Sequence, residues 1–170
     1  MRTVERFTRA AVFLARFGTG AAFAVLIGAV LIQVAGRFSG SSPVWTEELT
    51  RFALLYMVAF GTGLAFRSGD LVNVDVICES LPHPAPRLLR LLAAVATAAL
   101  ALYLLAHAWR FVAIGRMQTA PALGIRMDGA HFTVFLMLAG LALFAALRVL
   151  GMLAGTEDGT RQRDAADEED

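Results

Sequence analysis

The sequence contains no lysine, a single cysteine, and no proline inside its long apolar runs. The lone cysteine, Cys78, excludes an internal disulfide and any metal site built from several cysteines. Without lysine, all fifteen basic residues are arginine, which we interpret as a compositional bias. The formal net charge is only +1, so the total charge does not indicate nucleic acid as a partner.

Hydrophobic residues make up 58% of the chain, against about 45–50% in an ordinary globular domain. The excess lies in four blocks, each of about 20 residues, which is long enough to cross about 30 Å of hydrocarbon. The blocks are 17–36, 46–66, 88–109 and 131–152. The sequence therefore predicts an all-α integral membrane protein with four transmembrane helices in a lipid bilayer, and residues 17–152 form its membrane domain.

The two ends of the chain differ from this domain. Residues 1–16 place arginines on one side of a helical wheel and apolar residues on the other. Two interpretations stay open: a short amphipathic helix in the headgroup layer, or a frayed basic tail that only fixes topology. The first apolar run is too long for a secretory signal, so we expect it to be retained. Residues 153–170 form an acidic tail that we expect to be disordered.

The arginines near the helix ends are distributed unequally. Ten lie on the side of the N-terminus, the 67–90 connection and the C-terminus, and five lie on the opposite side. Because cytoplasmic loops carry the excess of basic residues, this bias predicts that both termini are cytoplasmic.

No aspartate or glutamate lies in the central part of any predicted helix. Ion and proton pathways through lipid usually show as ionisable residues inside the membrane, so these helices are not expected to hold a transport site of their own. Gly28, Gly61, Gly63 and Gly140 are then expected to serve close helix packing. Nothing forms a catalytic pair or a metal site by spacing, so the sequence predicts neither an enzyme nor a cofactor.

Two histidines leave one alternative open. His107 closes the third predicted helix and His131 opens the fourth, so both lie near the same membrane face. Two histidines at one depth could ligate a haem. This alternative is a four-helix membrane cytochrome, a redox or binding protein that uses His107 and His131.

The start of the second predicted helix has an unusual concentration of charge. Glu47 and Arg51 are spaced i,i+4, and Glu48 and Arg51 are spaced i,i+3, so either carboxylate is expected to pair with the arginine. Such a pair lets Arg51 enter the hydrocarbon edge with a counter-charge; otherwise the side chain extends toward the headgroups. Trp45 is an interfacial anchor. Gln33, near the end of the first helix, is expected to bond across helices or to reach the headgroups.

This stretch resembles the small membrane (Q-type) subunit of tripartite ATP-independent periplasmic (TRAP) transporters. The resemblance spans about residues 15–150 and is sharpest over 45–82. It rests on a Trp-x-Glu-Glu-Leu-x-Arg start, a mid-helix glycine, a basic-x-Gly-acidic exit, and the strings LVNVDVICESLP and APALGIR. The residues that carry it, together with one further packing glycine, are Trp45, Glu47, Glu48, Arg51, Gly61, Gly63, Arg67, Gly69, Asp70, Asp75 and Pro82.

The resemblance implies a scaffold for a large transport subunit in the bacterial inner membrane. That larger subunit would carry the substrate and ion sites of ion-gradient-driven uptake (symport). A periplasmic binding protein would deliver an organic acid to it. Another hypothesis is a small transporter that works alone as an oligomer, and transport by this chain alone in liposomes would identify it.

Overall fold

The computed structural model describes residues 2–41, 43–69 and 85–155. Four helices account for most of this part of the chain: α1 (Arg2–Phe38), α2 (Trp45–Ser68), α3 (Ala85–Gly115) and α4 (Asp128–Leu153). Each contains a stretch long and apolar enough to cross a membrane. The predicted all-α fold with four such helices is confirmed, and each helix extends beyond its apolar block.

The first helix runs without interruption from Arg2 through the apolar block that begins at residue 17. Its 37 residues give a helix about 55 Å long, whereas the hydrocarbon core of a bilayer is about 30 Å thick. The basic segment is therefore a continuation of the first spanning helix and not a separate element. The acidic tail beyond residue 155 lies outside the described residues.

The helices pack side by side in the order α1–α2–α4–α3. Within the described ranges, the extensive contacts join α1 to α2, α2 to α4, and α4 to α3. The two inner helices bury 28% and 22% of their most apolar windows, whereas α1 and α3 each bury 11%. The chain is thus a row of helices whose two outer members expose most of their apolar surface.

Small side chains line the contacts between neighbouring helices. Ala101 and Ala108 of α3 pack on Leu138 and Ala142 of α4. Lipid tails are as apolar as the helices themselves, so close van der Waals packing, which small residues allow, supplies much of the association. Glycines permit the closest approaches, because a Cβ at Gly18 would lie 2.7 Å from the ring of Phe60.

Arginines tie helices together at the end of the row where α2 and α4 finish. The guanidinium of Arg148 donates to the carbonyl of Phe66 at 3.3 Å and lies 5.7 Å from the centroid of that ring. The guanidinium of Arg87 donates to the carbonyl of Met152 at 3.0 Å. Both bonds satisfy carbonyls in the last turns of helices, where the helix dipole also favours a cation.

Candidate functional site

Glu48 is a buried carboxylate in the first turn of α2, with only 7% of the residue exposed. Its Oε2 accepts hydrogen bonds from the backbone N–H groups of Ala122, at 3.0 Å, and Leu123, at 2.7 Å. Bonds from N–H groups to an ionised acceptor are about twice as strong as neutral ones. This carboxylate therefore attaches the segment between α3 and α4 to the start of α2.

The segment between α3 and α4, residues 116–127, is called the connector here. Backbone bonds from Ala120 to Ile125 and from Gly124 to Ala120, both 2.8 Å, close it into a tight turn. Gly124 has a φ of +67°, a conformation that favours glycine. Thr119 and Arg126 form a bridge beside the turn. The connector is thus an ordered element whose fold depends on its own turn and on Glu48.

The side chain of Glu47 contacts α1, the other neighbour of this end of α2. Its Oε1 accepts a hydrogen bond from Nε2 of Gln33 on α1, at 3.4 Å, and its side chain is exposed. The bond is long, so its contribution is small. The two adjacent carboxylates therefore join α2 to different partners: Glu47 to α1 and Glu48 to the connector.

The expected ion pair between Arg51 and either carboxylate is not formed. Among the residues that the structure describes, Arg51 has no acidic partner, and its side chain is exposed. The i,i+3 and i,i+4 rule failed because the carboxylates have partners outside their own helix. Trp45, the first residue of α2, is 38% exposed at the same end of the row.

The two glycines of the second helix have different surroundings. A Cβ on Gly63 would lie 2.7 Å from the ring of Phe144 and 3.4 Å from the backbone of Gly140, so Gly63 packs against α4 within this chain. A Cβ on Gly61 would meet nothing within 4 Å. Within the described part of the chain nothing fills the space beside Gly61, which leaves room there for a further helix.

Gly69, another glycine of the motif, ends α2. Gly69 has a φ of 88° and donates its N–H to the carbonyls of Ala65 and Phe66, which ends the helix in a left-handed cap. Arg67 lies half-buried in the last turn. Asp70, Asp75 and Pro82 lie outside the described residues.

Replacing Gly69 with alanine is expected to lower the free energy of unfolding by about 1 kcal/mol, because a Cβ strains the left-handed conformation. Denaturant titration of the purified protein in mild detergent measures this. Gly20→Ala is the matched control, since Gly20 lies inside α1 with nothing within 4 Å of its Cβ position. That change is expected to be neutral or stabilising. Equal effects at both positions would contradict this account of the cap.

His107 and His131 have separate partners. Nδ1 of His131 lies 3.0 Å from the carbonyl oxygen of Phe111, and its imidazole stacks on that ring with centroids 4.0 Å apart. Nδ1 of His107 lies 3.2 Å from the carbonyl oxygen of Tyr103, one turn earlier in α3. His131 thus serves as a contact between α4 and α3. Within the described part of the chain, no cluster of histidine, cysteine and acidic residues could hold a metal ion.

A tyrosine that the sequence did not single out fixes the start of α4. The hydroxyl of Tyr56 on α2 donates to the carbonyl of Gly129 at 2.9 Å. Like Glu48, it ties α2 to the region where the connector meets α4. Residues 48 and 56 are two helical turns apart, but their partners lie more than 70 residues away, so sequence spacing could not reveal them.

Four long apolar helices lie in a row, and an ordered connector joins α3 to α4. This arrangement defines a multi-pass membrane protein whose outer helices have uncovered faces. More particularly, the chain belongs to the DctQ component family of tripartite ATP-independent periplasmic transporters. The sequence model of this family matches residues 26–155, about three quarters of the chain. The resemblance stated from the motif is thereby confirmed. A search of curated proteins gives no match.

Proposed function

We propose that this chain is the scaffold of its TRAP transporter, and that it packs beside a large membrane subunit. In this proposal the large subunit moves an organic acid, delivered by a periplasmic binding protein, at the expense of an ion gradient. Family membership supports the role of small subunit. The finer assignment is supported by the absence of acids from the central parts of the helices, which leaves the substrate and ion sites to another chain.

The observation that carries the scaffold role is the open row of helices. A self-contained four-helix bundle buries a face of every helix against two neighbours, whereas α1 and α3 here each have one extensive neighbour among the described residues. The opening beside Gly61 allows close approach of a further helix to α2. We infer that part of this uncovered surface contacts the large subunit and that the remainder faces lipid.

The proposed topology places both termini in the cytoplasm and the connector in the periplasm of a bacterial inner membrane, as the arginine distribution favours. Single cysteines at an exposed connector position, Met117, and at the C-terminus test this in a Cys78→Ser background. A membrane-impermeant maleimide added to intact spheroplasts is expected to label position 117 alone. Labelling of the C-terminal cysteine alone would reverse the orientation.

Gly61→Leu is expected to lower co-purification of the large subunit at least about fivefold, because a leucine fills the opening that the second helix leaves for a partner. The measurement is the stoichiometry of the complex after purification in mild detergent from the native cell. Gly28→Leu is the comparison on α1, where the Cβ position is also open, and it shows whether the same change elsewhere on the uncovered surface releases the large subunit. Full retention of the large subunit by Gly61→Leu would refute this contact.

A broader outcome would refute the scaffold role itself. If the unaltered chain purified without a larger multi-span partner and carried out transport alone in liposomes, it would be a self-sufficient transporter. If the purified chain carried a haem absorbance band that disappeared when His107 or His131 was replaced, it would be a redox protein.

A further inference from the structure

Among the residues that the structure describes, Arg51 is a cation without a counter-charge. The two acids within its reach along α2 are engaged elsewhere, Glu47 by Gln33 and Glu48 by the connector. Arg51 lies six residues into α2, about 9 Å from the helix start, inside a candidate membrane span. An unpaired guanidinium at that depth is costly in hydrocarbon, so we expect its side chain to extend toward the headgroup layer.

A second exposed arginine lies across the contact between α1 and α2. The two helices run antiparallel and meet at the Gln33–Glu47 hydrogen bond. Arg37 follows Gln33 by four residues and Arg51 follows Glu47 by four residues, so each arginine lies on the side of its helix that carries this bond. Each lies about 6 Å from this bond, in opposite directions along the axis, so their backbones are about 12 Å apart along it and both side chains must extend toward each other to reach one phosphate. Arg37 is also exposed, with no partner among the described residues.

The charges at this place favour a phosphodiester. Among the exposed charged groups here, Arg37 and Arg51 are two cations and Glu47 is one anion, which gives them a net charge of +1; the carboxylate of Glu48 is buried and hydrogen-bonded to the connector. Guanidinium groups bind phosphate oxygens with charge-assisted hydrogen bonds. Arg37 lies in the last turn of α1, at the end of a candidate membrane span, so a lipid headgroup can reach it, and a lipid with one net negative charge matches the unbalanced exposed cation. A choline headgroup would instead bring a third cation to the site.

We propose that Arg51 and Arg37 bind the phosphate of an anionic phospholipid in the groove between α1 and α2. This site lies beyond the scaffold role and does not depend on it. It also gives a reason for an arginine one turn after two glutamates: Glu48 holds the connector and Glu47 contacts α1, which leaves the arginine available for lipid.

The natural tryptophans provide a direct test. Trp45 lies at the site and Trp109 lies on α3, so a Trp109→Phe background leaves Trp45 as the sole tryptophan reporter. The full chain is reconstituted in phosphatidylcholine nanodiscs with a trace of pyrene-labelled phosphatidylglycerol or pyrene-labelled phosphatidylcholine. Quenching of Trp45 by energy transfer to each label gives the lipid selectivity. Circular dichroism confirms that each variant is folded.

We expect phosphatidylglycerol to be preferred and each arginine to contribute about fivefold to the selectivity, the effect of one cation near an anionic lipid surface. Arg51→Gln is expected to lower the selectivity for phosphatidylglycerol about fivefold, and Arg51→Lys to lower it less. The double change R37Q/R51Q is expected to abolish the preference. Arg110→Gln is the matched control, because Arg110 is exposed on α3, away from the groove. It is expected to leave the selectivity unchanged.

Several outcomes would overturn the proposal. One is an unaltered chain with no preference for phosphatidylglycerol, and another is an equal loss in Arg110→Gln, which would indicate diffuse surface charge. Displacement of the labelled lipid by inorganic phosphate at matched ionic strength would assign the arginines to a soluble anion. If Arg51→Gln kept the lipid preference but released the large subunit, the partner of Arg51 would be a protein carboxylate.

Discussion

Replacing Glu48 with alanine is expected to lower the free energy of unfolding by about 2–4 kcal/mol and to release the connector from α2. The change removes the acceptor of the N–H groups of Ala122 and Leu123, and a hydrogen bond to a charged group contributes about 1.5–3 kcal/mol. Denaturant titration in mild detergent measures the free energy. Hydrogen exchange at amides 122 and 123 measures the release, with an increase in rate of at least about tenfold for each 1.4 kcal/mol lost.

The neighbouring acid provides the matched control. Glu47→Ala removes an exposed carboxylate with one long hydrogen bond, so it is expected to change the free energy of unfolding by less than about 0.5 kcal/mol. Glu48→Gln keeps an acceptor oxygen at the same position, so its loss in the free energy of unfolding is expected to lie between those of the two alanine variants. If both alanine variants lost the same stability and the two amides stayed protected, the role given to Glu48 would be wrong.

Replacing Gly63 with leucine is the second change with a large expected effect, a loss of about 3 kcal/mol or more in the free energy of unfolding. A Cβ at this position lies 2.7 Å from the ring of Phe144 and 3.4 Å from the backbone of Gly140, so α2 and α4 must separate to admit a side chain. Overpacking of this kind typically costs 1–3 kcal/mol, and here the obstacle includes backbone. The measurement is the same denaturant titration.

Gly61→Leu controls for the size of the new side chain in the same helix. The open space beside Gly61 predicts a change below about 1 kcal/mol in the isolated chain. Gly63→Ala is expected to give an intermediate loss. Equal losses for the two leucine variants would show that leucine disturbs α2 by itself, independently of the contact with Phe144. The two glycines are thus assigned different tasks: Gly63 holds this chain together, and Gly61 is available to a partner.

These contacts lie in the first half of α2. Glu47 joins it to α1, Glu48 joins it to the connector, and Tyr56 joins it to the start of α4. One helix therefore organises three neighbouring segments at one end of the row. In the proposed scaffold this end faces the periplasm, and a rigid end would hold a fixed position while the large subunit moves.

The sequence by itself determined the four spanning helices, since about 20 consecutive apolar residues specify a span whatever the packing. It also determined the family, because the stretch from Trp45 to Gly69 carries a recognisable string of residues. The end of α2 also has a local cause, although hydropathy placed it at residue 66: a left-handed cap needs a residue that tolerates positive φ, and Gly69 follows the last turn. Each of these features depends on residues close together in the chain.

The tertiary structure alone decided the partners of the charged residues and the order of the helices. The spacing of Glu47, Glu48 and Arg51 predicted an ion pair within one helix, but Glu48 bonds to amides more than 70 residues away. Hydropathy placed a boundary at residue 17, where the backbone of α1 continues as one helix, because helical hydrogen bonding does not stop where a segment leaves lipid. Which glycine meets Phe144 depends on how α4 lies against α2, and that follows from packing across the whole row and not from any local pattern.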